Sequence, residues 1–155
     1  LVLSTLHTND AAGAPTRLLD MGVEPFLVAS SLLGVVAQRL IRRLCLKCRQ
    51  PYTLTNDDLH QLGITREETK DAQVFKAIGC TVCSNTGYSG RMVVQELMLI
   101  DDDVRHLIVK AMDSATIKKK AVENNMHTLR EDGVKKVLSG ITSVEELVRA
   151  IQADE

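Results

Sequence analysis

The chain has 155 residues with 19 basic and 20 acidic side chains, so its formal net charge is -1 at neutral pH. A charged fraction of 25% and a hydrophobic fraction of 45% are ordinary for a folded globular protein and exclude a disordered chain or a coiled-coil rod. The balanced charge, with only two Phe, two Tyr and no Trp for base stacking, argues against nucleic acid as a partner.

The first third of the chain predicts one strand followed by two helices. Leu1–Leu6 is a nearly continuous apolar run, typical of a strand covered on both faces in a parallel sheet. The polar residues Thr8–Asp10 offer N-cap oxygens to a helix that ends at about Met21. Pro25 suits the first turn of a long helix through Arg43, because apolar residues recur there three or four positions apart. The apolar stretch within this helix is shorter than the ~20 residues needed to span a membrane.

The middle of the chain changes character. Residues 45–85 lose the apolar periodicity and predict a small separate subdomain. Capping boxes at Thr55-x-x-Asp58 and Thr65-x-x-Glu68 predict short helices inside it. Residues 92–98 then predict a strand that rejoins the main sheet.

Everything after Asp101 is expected to be helical. Two further capping boxes, Thr128-x-x-Glu131 and Thr142-x-x-Glu145, predict the starts of two helices. Gly140 lies between them and predicts a C-terminal stop for the first.

All four cysteines fall into two pairs, Cys45-x-x-Cys48 and Cys80-x-x-Cys83. Two such turns facing each other can complete a tetrahedral shell of four thiolates around Zn²⁺. The alternatives are two disulfides, a thioredoxin-like redox pair or ordinary buried thiols. Disulfides are disfavoured because no secretory signal is present, and a redox site needs one pair at a helix start, not two. The spacing therefore favours a zinc site that is structural, since four sulfurs leave no open position for a substrate.

Four separated segments resemble the ATPases of type II secretion and type IV pilus assembly, the GspE/PilB group. They are residues 1–11, the two cysteine pairs, Gly87–Arg91 and residues 126–133. The resemblance covers essentially the whole chain. It implies the α/β fold class, specifically the C-terminal part of a RecA-like P-loop ATPase domain with an inserted tetracysteine zinc subdomain and a helical C-terminal tail. Residues 1–44 and 86–100 would belong to the ATPase core, 45–85 to the zinc subdomain and 101–155 to the helical C-terminal region.

The resemblance also implies a role for His7. It lies in the segment known in the family as the His box, at the nucleotide site, so His7 is the candidate catalytic residue. An imidazole at the end of a parallel strand could sense or polarise a γ-phosphate. The alternative is a polar residue at a strand end that bonds to a neighbouring loop.

No phosphate-binding loop of the form G-x-x-x-x-G-K-[ST] occurs in the sequence, so no residues for binding ATP and Mg²⁺ can be assigned in this chain. The acidic strand that helps to hold Mg²⁺ is missing as well. We therefore expect ATP hydrolysis, and ATP and Mg²⁺ as cofactors, only of a full-length protein. The 155 residues alone are predicted to be inactive.

The resemblance further implies a hexamer, contact with inner-membrane platform proteins and a location at the cytoplasmic face of the bacterial inner membrane. Arg39, Arg42 and Arg43 lie beside the first cysteine pair and could contact anionic lipid, although a solvated helix end is the simpler explanation for them. A stand-alone zinc module that binds protein or nucleic acid is the alternative function.

Overall fold

The computed structural model describes residues 1–152 and has an α/β structure that divides into two compact units. The first unit comprises Leu1–Gln38 and Gln95–Thr128, and the second comprises Arg39–Val94 and the chain from Leu129 onward. The helices are α1 (Gly13–Asp20), α2 (Pro25–Ser31), α3 (Asn56–Leu62), α4 (Asp102–Val109), α5 (Ser114–Glu123), α6 (Leu129–Leu138) and α7 (Val144–Gln152). The strands are β1 (Gly34–Leu44), β2 (Gln50–Pro51), β3 (Phe75–Lys76) and β4 (Tyr88–Leu99).

Strands β1 and β4 form one two-stranded sheet, and the short strands β2 and β3 form another. At one end of the longer pair the Ile100 N–H donates to the Leu33 carbonyl, and at the other end the Cys45 N–H donates to the Gly87 carbonyl. The start of β1 therefore meets the end of β4, so the pair is antiparallel. The division into units falls within both strands.

Two of the predicted elements at the start of the chain are wrong. Residues 1–8 contain no strand, and Leu1 is fully exposed, because the described residues provide no neighbouring strand to pair with this segment. The helix predicted from Pro25 to Arg43 ends at Ser31, and residues 34–43 belong to β1 instead. The β-branched residues Val35, Val36 and Ile41 suit a pleated strand, and pairing with β4 outweighs the helical spacing of the leucines.

The first unit packs four helices around one apolar core. Helix α2 contacts α4, α4 contacts α5, and α1 contacts both α2 and α5. The largest fully buried side chains of this core come from α4, α5 and the end of β4: Met98, Val104, Ile108 and Ile117.

The second unit contains the cysteine-bearing segment and the last two helices. Helix α7 contacts both α3 and α6. Ile41, Leu62, Val94, Val137 and Leu147 are the most completely buried members of its core. Helix α3, which lies between the two cysteine pairs, thus shares one core with α6 and α7.

The predicted helix starts in this unit are partly confirmed. Thr55 and Asp58 form a capping box at the start of α3, whereas the bond from the Thr65 N–H to Glu68 is followed only by a short 3₁₀ turn, Glu67–Thr69. Gly140 has a φ of 70° just after α6, as expected for a helix stop.

The capping box predicted at Thr142-x-x-Glu145 is wrong by one residue. The Ser143 hydroxyl accepts a hydrogen bond from the Glu146 N–H (3.3 Å), and α7 begins at Val144. The Thr142 hydroxyl instead donates to the Arg42 carbonyl (2.9 Å), because Arg42 lies on the strand beside it.

Among the described residues, no helix combines the length and the apolar character that crossing a bilayer requires.

Candidate metal centre and the segment around His7

The four cysteine sulfurs lie together in the second unit, all within 4.8 Å of one another. The Sγ–Sγ distance is 4.0 Å for Cys45 and Cys80, and 3.8 Å both for Cys48 and Cys83 and for Cys80 and Cys83. A tetrahedron with Zn–S bonds of ~2.3 Å has edges of about 3.8 Å. The sulfurs are therefore spaced as four thiolate ligands of one ion would be, and no disulfide joins them.

Tight turns bring each pair of sulfurs together. After β1, the N–H groups of Cys48 (3.2 Å) and Arg49 (3.0 Å) both donate to the Cys45 carbonyl. The second pair begins and ends a single 3₁₀ turn, in which the Cys83 N–H donates to the Cys80 carbonyl (3.2 Å). These local bonds explain why the C-x-x-C spacing alone predicted the cluster.

Gly87 allows the two cysteine segments to approach. Its φ is 79°, and a Cβ at this position would lie 2.7 Å from the Cβ of Ala77. Its carbonyl accepts from the Cys45 N–H (2.9 Å), and its own N–H donates to Cys83 Sγ (3.2 Å). A larger residue would be strained by both the backbone conformation and the contact with Ala77.

Two thiols of the cluster have pKa values that are shifted in opposite directions. Burial raises the pKa of Cys83, but N–H donors from the backbone of Cys80 and Gly87 outweigh this effect and lower that pKa to about 6. Burial is also the main cause that raises the pKa of Cys48, to about 11. Binding of a divalent ion would have to displace the remaining protons, so metal affinity should increase with pH.

Arg49 in the cysteine segment and Arg42 near the end of β1 bond to residues before and within α7. The Arg49 guanidinium donates to the Gly140 carbonyl (2.6 Å) and lies 4.1 Å from the ring centre of Phe75. Arg42 donates to Glu146 through Nη2 (2.6 Å), Nε (2.9 Å) and its backbone N–H (2.9 Å). The carboxylate of Glu146 is fully buried, and its bonds to Arg149 (2.8 and 3.1 Å) complete the network.

This network changes the interpretation of the basic cluster. Arg42 is half-buried and bonded to Glu146, and Arg39 is half-buried, whereas Arg43 is exposed. Sequence reasoning missed the role of Glu146. The available signal was that Ser143-x-x-Glu146 matches the capping pattern as well as Thr142-x-x-Glu145 does.

His7 lies in the first unit, in the irregular segment before α1, and its side chain is exposed. The turn that follows it is well anchored. The Thr8 hydroxyl donates to the Asp10 carbonyl (3.0 Å), and Asp10 Oδ1 accepts from the Gly13 N–H (2.9 Å) at the start of α1. The Ala11 N–H donates to Glu96 Oε1 (2.7 Å), and Glu96 is only 2% exposed.

Glu96 was also missed from the sequence. It occupies an inward position of β4, in alternation with the buried residues Val94 and Met98. A carboxylate on the apolar face of a strand needs a partner, and this was the signal that could have singled it out.

These features define an α/β protein with a four-sulfur site able to hold a metal ion. Residues 1–149 match the family model described as Type II/IV secretion system protein, so the chain belongs to this family. It is 47% identical over 153 residues to the type IV pilus assembly ATPase PilB of Thermus thermophilus, which covers 98% of this chain and 17% of that protein. It is 46% identical over 154 residues to the type II secretion system protein E of Aeromonas hydrophila, which covers 99% and 30%.

A third relative is the type II secretion system ATPase E of Vibrio cholerae, 45% identical over 150 residues, 96% of this chain and 29% of that protein. The chain thus spans less than a third of each of these three relatives. The predicted resemblance to the secretion and pilus ATPase family is confirmed, and the family model extends far beyond the cysteine segment. A match over residues 1–149 favours membership of this family over a stand-alone zinc module.

Proposed function

We propose that this chain is the C-terminal segment of a motor ATPase that hydrolyses ATP to power assembly of a pilus or pseudopilus. The identity of 45–47% to two ATPases of such systems, across nearly the whole chain, carries this proposal. Residues 1–44 and 86–100 would form the end of a RecA-like core, 45–85 the zinc subdomain and 101–155 the helical C-terminal region.

His7 is the residue of this chain that we assign to the nucleotide site. Its imidazole is exposed, and hydrogen bonds fix the turn that follows it at Asp10 and Ala11. The side chain is therefore accessible to a nucleotide, while the chain next to it is fixed in position. It would sense or polarise the γ-phosphate of ATP, while the phosphate-binding loop and the Mg²⁺ ligands would come from upstream residues of the full-length protein.

Zn²⁺ is the ion that we assign to Cys45, Cys48, Cys80 and Cys83. The sulfur spacing and an all-thiolate donor set both suit zinc. When bound, the ion would cross-link the two turns. Because the protein itself supplies four ligands, the site would stabilise the fold and leave no position for a substrate.

The full-length protein would act as a hexamer at the cytoplasmic face of the inner membrane, in contact with platform proteins of the same machine. Of the three arginines considered for contact with anionic lipid, the exposed Arg43 is the best placed. Sedimentation with vesicles that contain anionic lipid tests this contact, and equal binding by Arg43→Ala would count against it.

The experiment that tests the proposed function compares two proteins. One is the 155-residue chain, and the other is the same chain extended by its upstream coding sequence. We expect the longer protein to bind and hydrolyse ATP and the 155-residue chain to do neither. A longer protein without a phosphate-binding loop and without ATP hydrolysis would refute the proposal.

A further inference from the structure

Glu96 is a buried carboxylate to which neither the zinc site nor the proposed nucleotide site assigns a role. It lies on β4 with 2% exposure, beside the fully buried residues Ala11 and Met98. Its Oε1 accepts from the Ala11 N–H at 2.7 Å, a contact between residues 85 positions apart in sequence. A buried carboxyl group is stable only where hydrogen bonds replace those that it loses with water. The bond from Ala11 therefore stabilises Glu96 at this buried position.

Asp10, the residue before Ala11, is held by different partners, at the start of α1 and on α5. Its Oδ1 caps the Gly13 N–H (2.9 Å), and its Oδ2 forms an ion pair with Lys118 Nζ (2.8 Å) on α5. Asp10 and Lys118 are both partly buried, with side chains 23% and 40% exposed. Two elements distant in sequence, β4 and α5, thus hold two consecutive residues of one turn.

This turn begins immediately after His7. Asp10 and Ala11 follow His7 by three and four residues, whereas the residues before His7 have no regular structure and Leu1, Val2 and Leu3 are almost fully exposed. The bonds to Asp10 and Ala11 therefore help to fix the position of the segment that carries the imidazole.

The geometry points to Glu96 as a positioning residue for His7, with Lys118 as a second anchor. This inference rests on the proposed role of His7 at the nucleotide. Glu96 and Lys118 do not touch the nucleotide in this scheme; they set where the imidazole lies when the γ-phosphate reacts. Small displacements of a reacting group reduce turnover strongly, while substrate affinity depends on other contacts.

The test uses the longer, hydrolysing protein with zinc present and measures kcat and KM for ATP. We expect Glu96→Ala to lower kcat about tenfold and Lys118→Met about threefold, with KM changed less than about twofold. Lys119→Met removes the adjacent exposed lysine of the same helix and is the matched control, with kcat unchanged. If Glu96→Ala does not fold, Lys118→Met decides the question, since its side chain is partly exposed and its loss leaves no buried charge in an apolar core.

A double-mutant cycle with His7→Ala separates positioning from a general structural role. If Glu96 and Lys118 act through His7, their substitutions should cause no further loss of kcat in the His7→Ala background. The same fold loss in both backgrounds, or wild-type kcat in folded Glu96→Ala and Lys118→Met, would overturn the inference while leaving the function of His7 intact. Wild-type hydrolysis by His7→Ala alone would instead refute the proposed role of His7, and the positioning role with it.

Discussion

Replacement of Glu146 by glutamine should lower the stability of the second unit strongly at neutral pH and much less in acid. The carboxylate is fully buried and accepts three bonds from Arg42 and two from Arg149. Burial alone would raise the pKa of Glu146, but the donors of Arg149 and Arg42 outweigh it and hold the pKa at about 2, against an ordinary 4.5. This difference corresponds to about 3 kcal/mol of folding free energy at neutral pH.

The pH dependence follows from the lowered pKa in the folded state. The stabilisation is fully present above the unfolded-state pKa near 4.5 and is lost as the pH falls from there towards 2. Urea denaturation of the variant and of the unsubstituted chain, followed by circular dichroism side by side at pH 7, 4 and 3, measures it as a difference at each pH, so that loss of metal from the protonated cysteines in acid affects both proteins alike. Glu146→Gln should cost about 3 kcal/mol at pH 7 and progressively less at pH 4 and 3.

The matched control for this prediction is Glu145→Gln, which alters the exposed neighbour of Glu146 on the same helix. It should change the free energy of unfolding by less than about 0.5 kcal/mol at each pH. A cost for Glu146→Gln below about 1 kcal/mol at pH 7, or one that is equal at pH 7 and pH 3, would show that the buried network does not stabilise the fold as the structure indicates.

The remaining predictions concern zinc and helix packing. Elemental analysis should find about one zinc per chain, and Cys45→Ser should lose the metal and expose residues 45–85 to proteolysis, whereas Thr81→Ser inside the second pair should keep both metal and protection. A well-folded chain without metal would contradict the zinc assignment. Gly133→Ala should destabilise by about 1–3 kcal/mol despite its better helix propensity, because a Cβ would overlap the side chain of Leu147 on the facing helix. Thermal unfolding measures this effect, and a rise in the midpoint would show that the contact relaxes freely.

Features specified by short-range chemistry could be predicted from the sequence. The C-x-x-C turns close through hydrogen bonds between residues three or four apart, so the cysteine spacing alone indicated the four-sulfur cluster. The capping box of Thr55 and Asp58 is local in the same way and was predicted at the correct residues. The region after Asp101 was likewise predicted to be helical from local patterns, and α4 to α7 lie there.

Features decided by distant partners could not be predicted. Residues 34–44 satisfy helical spacing as well as strand alternation, and only pairing with β4, more than forty residues later, makes them a strand. The pairing of Glu146 with Arg42 and of Glu96 with Ala11 joins residues about a hundred positions apart. The residues around each glutamate contain no pattern that indicates its bonding partner, so the partners could be identified only from the structure.

The most direct test of the account is the rate of ATP hydrolysis by the longer protein carrying His7→Ala. The account predicts that this rate falls by about tenfold or more, since the imidazole acts on the γ-phosphate, while His60→Ala on the exposed face of α3 leaves it unchanged. The same loss in both variants would indicate a general effect of removing histidine. Unchanged hydrolysis by His7→Ala would contradict the placement of this chain at the nucleotide site.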